Sequence, residues 1–313
     1  MANFRILSID GGGIRGVLTA VLLNRLSTEY PPLLQDQPDS ITMFAGTSTG
    51  GILALALAAG LTPAEIRDLY AVNGKTIFDF SWARDIVEIG GLAGSKYDNE
   101  NLKRIMQVTF GGKKLKDLKA RVLIPSFRLD NQETEPAKRT WSPKFFHNFP
   151  GADSDGECLI VDVAMATSAA PTYFPSYNEY IDGSVIADNP SMAAIAQVLD
   201  RRNQPSDRAT LNEIKLLSVG TGLSLQYIGT KNLDWGDAQW IRPILNVLMD
   251  GSVGVADFQS RQLLGSRYCR LEPIFPAGRS IAMDDVGRIV DLIDCARSVE
   301  LTDTLAWLKG AAW

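Results

Sequence analysis

Two short glycine-bearing turns, each set between an apolar strand-like run and a helical one, constrain this chain more than any other feature. Phe4-Arg5-Ile6-Leu7-Ser8-Ile9 reads as a mostly buried strand, and Asp10-Gly11-Gly12-Gly13 breaks it. Leu18, Val21, Leu22, Leu23 and Leu26 then recur at helical spacing. Residues 41–45 give a second short strand, 46–51 a tight turn, and 52–59 a helix apolar on every face and therefore central. Further strands are expected at 121–129, 140–146, 177–181 and 214–219, with helices near 160–168, 190–200 and 241–264. Strands alternating with helices predict an α/β sandwich around a mostly parallel sheet.

Thr62-Pro63-Ala64-Glu65 supplies an N-cap, a proline at the first helical position and a capping-box glutamate, so a surface helix starts there and ends near Asn73-Gly74. Residues 78–95 are aromatic and glycine-containing without periodicity and read as a loop or lid before a helix at 101–110. The 313 residues are 45% hydrophobic and 21% charged, enough to bury one large core, and no linker divides them. The expectation is a single domain over 1–313, with its motifs inside 4–222 and a helical C-terminal part at 223–313.

A formal charge of −5, with no basic run longer than Gly111-Gly112-Lys113-Lys114-Leu115-Lys116, argues against a nucleic-acid polymer as partner. Cys158, Cys269 and Cys295 are odd in number and scattered, which suggests neither a disulfide framework nor a paired-cysteine metal site. With no signal-peptide pattern before Phe4, a cytoplasmic location is expected. The longest uncharged apolar stretch, 52–61, is too short to cross a bilayer.

Gly46-Thr47-Ser48-Thr49-Gly50 has the form of a nucleophile elbow, where a serine on a cramped strand-to-helix turn projects its hydroxyl and small residues leave room for the bend. The helix N-terminus behind Ser48 favours developing negative charge. A serine needs a base, and the chain has one histidine, His147, in an aromatic segment without a diagnostic neighbour. Either His147 completes a triad or a carboxylate serves alone, as burial raises carboxylate basicity. Asp182, at the end of the apolar run Tyr180-Ile181 and followed by Gly183, is the best carboxylate; a turn cap is the competing role. Gly11-Gly12-Gly13-Ile14-Arg15-Gly16 exposes backbone N–H groups that can converge on an oxyanion, with Arg15 a nearby positive charge. The same glycines satisfy a dinucleotide-binding fingerprint, but that needs an acidic residue about 20 positions on at a strand end. Here the region is Tyr30-Pro31-Pro32-Leu33-Leu34, with no acid until Asp36.

Taken together and in this order, Asp10-Gly11-Gly12-Gly13-Ile14-Arg15-Gly16, Gly46-Thr47-Ser48-Thr49-Gly50-Gly51 and Asp182-Gly183 resemble the patatin-like phospholipase family. So do the run from Ala166 to Pro175, Asp188-Asn189-Pro190 and the run from Leu217 to Gly222; the likeness spans roughly 4 to 222. The resemblance implies a three-layer α/β/α sandwich and a serine–aspartate dyad without histidine. In it Ser48 attacks the ester, Asp182 takes the proton, N–H groups of Gly12 and Gly13 hold the oxyanion with Gly11 beside them, and Arg15 supports the loop. Gly46 and Gly50 shape the elbow. Glycerolipid or other fatty-acyl esters are the implied substrates, with no metal or cofactor and with transient membrane-surface contact during action. Two alternatives accompany it: an esterase for small soluble esters, and a phospholipase effector of bacterial defence switched on by a cyclic nucleotide, with 207–313 as the control surface. Ser184 and Asp188 depart from the residues common in the family, and Asp188 raises the pKa of Asp182 if the two lie close. Phe78-Asp79-Phe80-Ser81-Trp82 and Phe145-Phe146 are candidates for lipid contact or an acyl groove, though core packing is the more frequent role of such residues.

Overall fold

The computed structural model describes residues 4–34, 42–77, 94–229, 234–240, 243–276, 278–310 and 313. Among these, one sheet is formed by β1 (Phe4–Ile9), β2 (Met43–Gly46), β3 (Arg121–Arg128), β4 (Ser142–His147), β5 (Tyr180–Asp182), β6 (Ile214–Val219) and β7 (Tyr268–Leu271). The helices are α1 (Gly16–Glu29), α2 (Thr49–Ala58), α3 (Pro63–Ile77), α4 (Glu100–Phe110), α5 (Ile160–Thr167) and α6 (Ser184–Ala187). They continue with α7 (Ser191–Leu199), α8 (Asp237–Trp240), α9 (Ile244–Leu264), α10 (Ile289–Ser298) and α11 (Thr302–Gly310).

The strand order is β4-β3-β2-β1-β6-β7, with β1, β2, β3, β6 and β7 parallel to their neighbours in that run and β4 and β5 antiparallel to β3. Residues of β1 alternate between two cores. Leu7 and Ile9 pack with α1–α5, α10 and α11, whereas Phe4 and Ile6 pack with α7 and the end of α9. Both faces are covered, as the near-continuous apolar strands require. The ten residues of α2 are all buried, which accounts for a helix without a polar face.

The partner switch along β3 matters most for function. Its first residues pair with β2 (Ala45 opposite Leu123) and its last with β5 (Ser126 opposite Asp182), while β4 occupies the other edge along Leu123–Arg128. Strand β5 therefore continues the β2 edge just past the point where β2 ends. That places Asp182 beside the turn leaving β2.

Several element boundaries differ from expectation for local reasons. The strand expected at 177–181 is confined to β5, because Asn178 and Glu179 take positive φ of 46° and 68° and turn the chain. The capping box at Thr62 forms, with its N–H donating to Glu65 Oε2 at 2.7 Å and Glu65 N–H to Thr62 Oγ1 at 3.2 Å. Helix α3 nevertheless runs past Gly74 to Ile77; Gly74 serves close packing, since a Cβ there would lie 2.8 Å from Ile14 Cδ1 and 3.0 Å from Ile289 Cδ1. The C-terminal part, expected to be helical, also adds β7 to the sheet. Of the lid read at 78–95, residues 78–93 lie outside the described residues.

Candidate active site

Ser48 sits between β2 and α2 with φ 53° and ψ −124°, a conformation a non-glycine residue adopts only when its surroundings enforce it. The enforcement is visible. A Cβ on Gly46 would overlap the Gly50 carbonyl, and one on Gly50 would overlap the carbonyls of Ile9 and Asp10, so both elbow positions need glycine. Ser48 N–H donates to Thr167 Oγ1 at 3.0 Å, and Thr167 Oγ1 donates to the Pro125 carbonyl at 2.6 Å. Thr47 Oγ1 donates to the Ala187 carbonyl at 2.6 Å.

The Ser48 hydroxyl donates to Asp182 Oδ2 at 2.6 Å, and Ser184 N–H donates to Asp182 Oδ1 at 2.8 Å. Asp182 is buried and, among the described residues, has no cation as a hydrogen-bond partner. Burial pushes its carboxyl up to about 6, and the bonds from Ser48 and Ser184 pull in the opposite direction. At neutral pH it is ionised yet a far stronger base than a free carboxylate. His147 is elsewhere, on β4: it is buried with Nδ1 unpartnered, its ring packs edge-on to Phe149 at 6.0 Å, and it does not line the pocket around Ser48. Burial lowers its pKa.

The glycine loop runs beside Ser48. Among the described residues, Gly12 and Gly13 give their N–H groups to no protein acceptor, and both line the pocket. Gly11, grouped with them in the sequence reading, donates its N–H to the Asp188 carbonyl at 3.1 Å and accepts Thr221 Oγ1 at 2.6 Å on its own carbonyl. It anchors the loop rather than offering a free donor. Arg15 does not line the pocket: its Nη1 donates to the Gly222 carbonyl at 3.1 Å and its Nε to the Gly12 carbonyl at 3.4 Å. It braces the loop from behind.

Behind the loop lies a cluster that sequence reading missed. Arg270 donates Nη1 to Asp10 Oδ1 at 2.9 Å and to Ser218 Oγ at 2.7 Å, and Nη2 to Asp10 Oδ2 at 2.5 Å and to Glu272. Glu272 Oε1 accepts Gly222 N–H at 3.0 Å. Burial works against the charge of Arg270, but Asp10 and Glu272 outweigh it and hold the proton more firmly than in free arginine. Thr167 was also missed as a support of Ser48, although it stands in a run singled out for its resemblance.

A cavity of about 1000 Å³ opens over Ser48 and Asp182. Its apolar lining includes Ile52, Leu69, Leu102, Phe174, Met249 and Met283. Apolar walls of this size suit long hydrocarbon chains. Phe145 and Phe146 do not line it; Phe146 is in the core. Phe78 to Trp82 lie outside the described residues. No described helix is long and apolar enough to cross a membrane.

The sequence model of the patatin-like phospholipase family matches residues 7–195. CotR of Bacillus subtilis is 32% identical, with 88% of this chain and 89% of CotR covered, and protein teg of Priestia megaterium is 29% identical over 99% of both. A cGAMP-activated phospholipase of Pseudomonas aeruginosa is 30% identical, covering 86% of this chain and 78% of that protein. The chain belongs to the patatin-like phospholipase family and is a lipid acyl hydrolase.

Proposed function

We propose that this enzyme cleaves fatty-acyl esters of glycerolipids through a Ser48–Asp182 dyad and an acyl-enzyme. The observation that carries the reading is the 2.6 Å bond from the Ser48 hydroxyl to Asp182 Oδ2, in a pocket without histidine. Ser48 Oγ attacks the ester carbonyl carbon as its proton passes to Asp182. The negative charge moves onto the carbonyl oxygen, where the N–H groups of Gly12 and Gly13 receive it together with the N-terminus of α2. Collapse breaks the bond to the leaving alkoxide, which takes the proton back from Asp182. Water then attacks the acyl-Ser48 carbonyl, Asp182 accepts its proton, and breakdown returns the proton to Ser48 Oγ and frees the fatty acid.

The test is hydrolysis of a medium-chain p-nitrophenyl ester and of mixed phospholipid vesicles by wild type and Ser48→Ala. Activity on both that disappears in the variant supports the reading; activity that survives Ser48→Ala removes it. Hydrolysis of the soluble ester alone moves the assignment to a small-ester esterase. Cyclic-nucleotide activation is a second reading, supported by likeness to proteins named cGAMP-activated phospholipase from Pseudomonas aeruginosa, Vibrio cholerae and Escherichia coli, at 30%, 34% and 33% identity. Vesicle hydrolysis that rises on adding a cyclic dinucleotide supports it; equal rates with and without a nucleotide panel discard it.

A further inference from the structure

Ala187 and Asp188 tie the glycine loop and the serine elbow to one turn. The Asp188 carbonyl accepts Gly11 N–H at 3.1 Å, its own N–H donates to Ser252 Oγ of α9 at 3.2 Å, and the preceding carbonyl, Ala187, accepts Thr47 Oγ1 from the elbow. Its side chain turns into the protein. Asp188 is 5% exposed, Ser184 is 2% exposed, and among the described residues Asp188 Oδ1 and Ser184 Oγ each lack a hydrogen-bond partner. Both atoms converge on Gly11: a Cβ there would overlap Asp188 Oδ1 and lie 2.6 Å from Ser184 Oγ. The carboxyl thus lies beneath the first glycine of the loop whose next two N–H groups face the pocket.

The reaction moves one negative charge from Asp182 onto the substrate oxygen at Gly12 and Gly13. A second anion beneath Gly11 opposes that movement, whereas a neutral carboxyl does not. Around Asp188 stand Asp10 after β1, Asp182 at the end of β5 and Arg15 ahead of α1. Arg15 acts most strongly on Asp188 but is shared with Glu272 of the β7 edge, Asp250 of α9 and Asp10, and Asp10 already holds Arg270. Two cations, Arg15 and Arg270, thus face five carboxylates, Asp10, Asp182, Asp188, Asp250 and Glu272, among the described residues.

Resting on the dyad reading above, we propose that Asp188 is a positioning residue that works as the neutral acid, holding the glycine loop through its backbone while its proton keeps a second negative charge away from the oxyanion. Burial pushes this carboxyl up to about 8, with Asp10 and Asp182 adding to the effect and Ser184 and Arg15 opposing it. Asp182 titrates lower, at about 6, so a window exists in which the base is charged and its neighbour is not.

The experiment is the pH dependence of kcat/KM between pH 5 and 9.5 on a medium-chain p-nitrophenyl ester, with Ser48→Ala rates subtracted and folding followed by circular dichroism. Wild type should give a bell, rising through about 6 as Asp182 ionises and falling above about 8 as Asp188 does. Asp188→Asn, which keeps the shape of the neutral acid, should retain the acid limb and lose the alkaline one, so that the ratio of rates at pH 9.5 and 7.5 rises about tenfold. Should Asp188→Asn fail to fold, Ser184→Ala serves instead: removing the hydroxyl that opposes the shift moves the alkaline limb to higher pH. An unchanged alkaline limb in the folded variant, or a wild-type profile flat to pH 9.5, overturns the proposal. Survival of activity in Ser48→Ala is a separate failure, that of the dyad itself.

Discussion

Asp10 and Asp182 are both buried aspartates at the ends of strands, both within reach of the glycine loop, and they meet opposite electrostatic surroundings. Asp10 is gripped by the forked guanidinium of Arg270, while Asp182 receives the Ser48 hydroxyl and the Ser184 backbone N–H and, among the described residues, no cation. Burial raises the proton affinity of Asp10 as well, but the guanidinium of Arg270 opposes that rise and occupies both carboxylate oxygens, leaving neither free to take a proton. A carboxylate that burial has desolvated without such a partner keeps its appetite for one. The first arrangement suits a brace and the second, in the dyad proposed above, a base.

The sharpest way to break this comparison is to neutralise each acid in turn. Ser48→Ala should lower kcat by about 10⁶-fold, and Asp182→Asn should lower kcat/KM by roughly 10²–10⁴-fold while the protein remains folded. An Asp182→Asn enzyme close to wild-type rate would show that another group takes the proton. Asp10→Asn should act on stability instead: leaving Arg270 half-paired in the interior should cost about 3–5 kcal/mol, seen as a lowered urea midpoint. A loss below about 1 kcal/mol would mean that the cluster is not a brace.

The pH dependence of stability sharpens the contrast. The folded-state pKa of Asp182, about 6, lies above the ordinary 3.8, so the native protein holds this proton more tightly than the unfolded chain. Its contribution to stability is therefore complete below about pH 4 and lost as pH rises through 6, on the order of 3 kcal/mol in all. Urea unfolding of wild type and Asp182→Asn at pH 4 and pH 7 should show the variant gaining relative to wild type at the higher pH. Equal differences at both pH values would place Asp182 in a less desolvated setting.

Smaller effects test the loop and the histidine. Gly12→Ala pushes a methyl into the Thr221 side chain and should cost about 3 kcal/mol in transition-state stabilisation, read as kcat/KM; an unaltered rate would move the oxyanion site elsewhere. His147→Ala should leave kcat/KM within about threefold of wild type. A large loss there would reinstate a triad.

The residues brought together at Ser48 were legible because their signals are local. A glycine two positions either side of a serine, an apolar run ending in Asp-Gly, and a strand broken by three glycines are each contained in a few consecutive residues. The Arg270–Asp10 pair was not legible: Asp10 opens the glycine motif, but its partner lies 260 positions on and sits in no recognisable pattern. Asp188 stood in a run singled out in the sequence, yet its backbone contacts with Gly11 and Ser252 were not legible, since they exist only after α6 and α9 have packed. Gly11 was grouped with its neighbours because sequence shows which N–H groups a loop can expose, not which ones the fold has already used. Strand β7 escaped notice because Tyr268-Cys269-Arg270-Leu271 has no clear alternation and is only four residues long. The end of α3 was misplaced by reading Gly74 as a stop when its smallness serves Ile14 and Ile289.

The sharing of one edge of β3 by β2 and β5 has a bearing on how faithfully such a protein must fold. Side chains alternate across a sheet, so slipping β5 by a single position would turn Asp182 to the far face and bring Ile181 towards Ser48. Three paired residues are a short ruler. It is pinned at both ends, by Leu129 N–H on the Glu179 carbonyl at 2.8 Å and by Asp182 N–H on the Ala169 carbonyl at 3.0 Å, with Ser126 Oγ on the Ile181 carbonyl at 2.8 Å between them. Turnover in this enzyme is thus a report on strand alignment: a molecule misaligned by one residue can keep most of its core and still be silent, which makes hydrolysis a finer gauge of correct assembly than any measure of compactness.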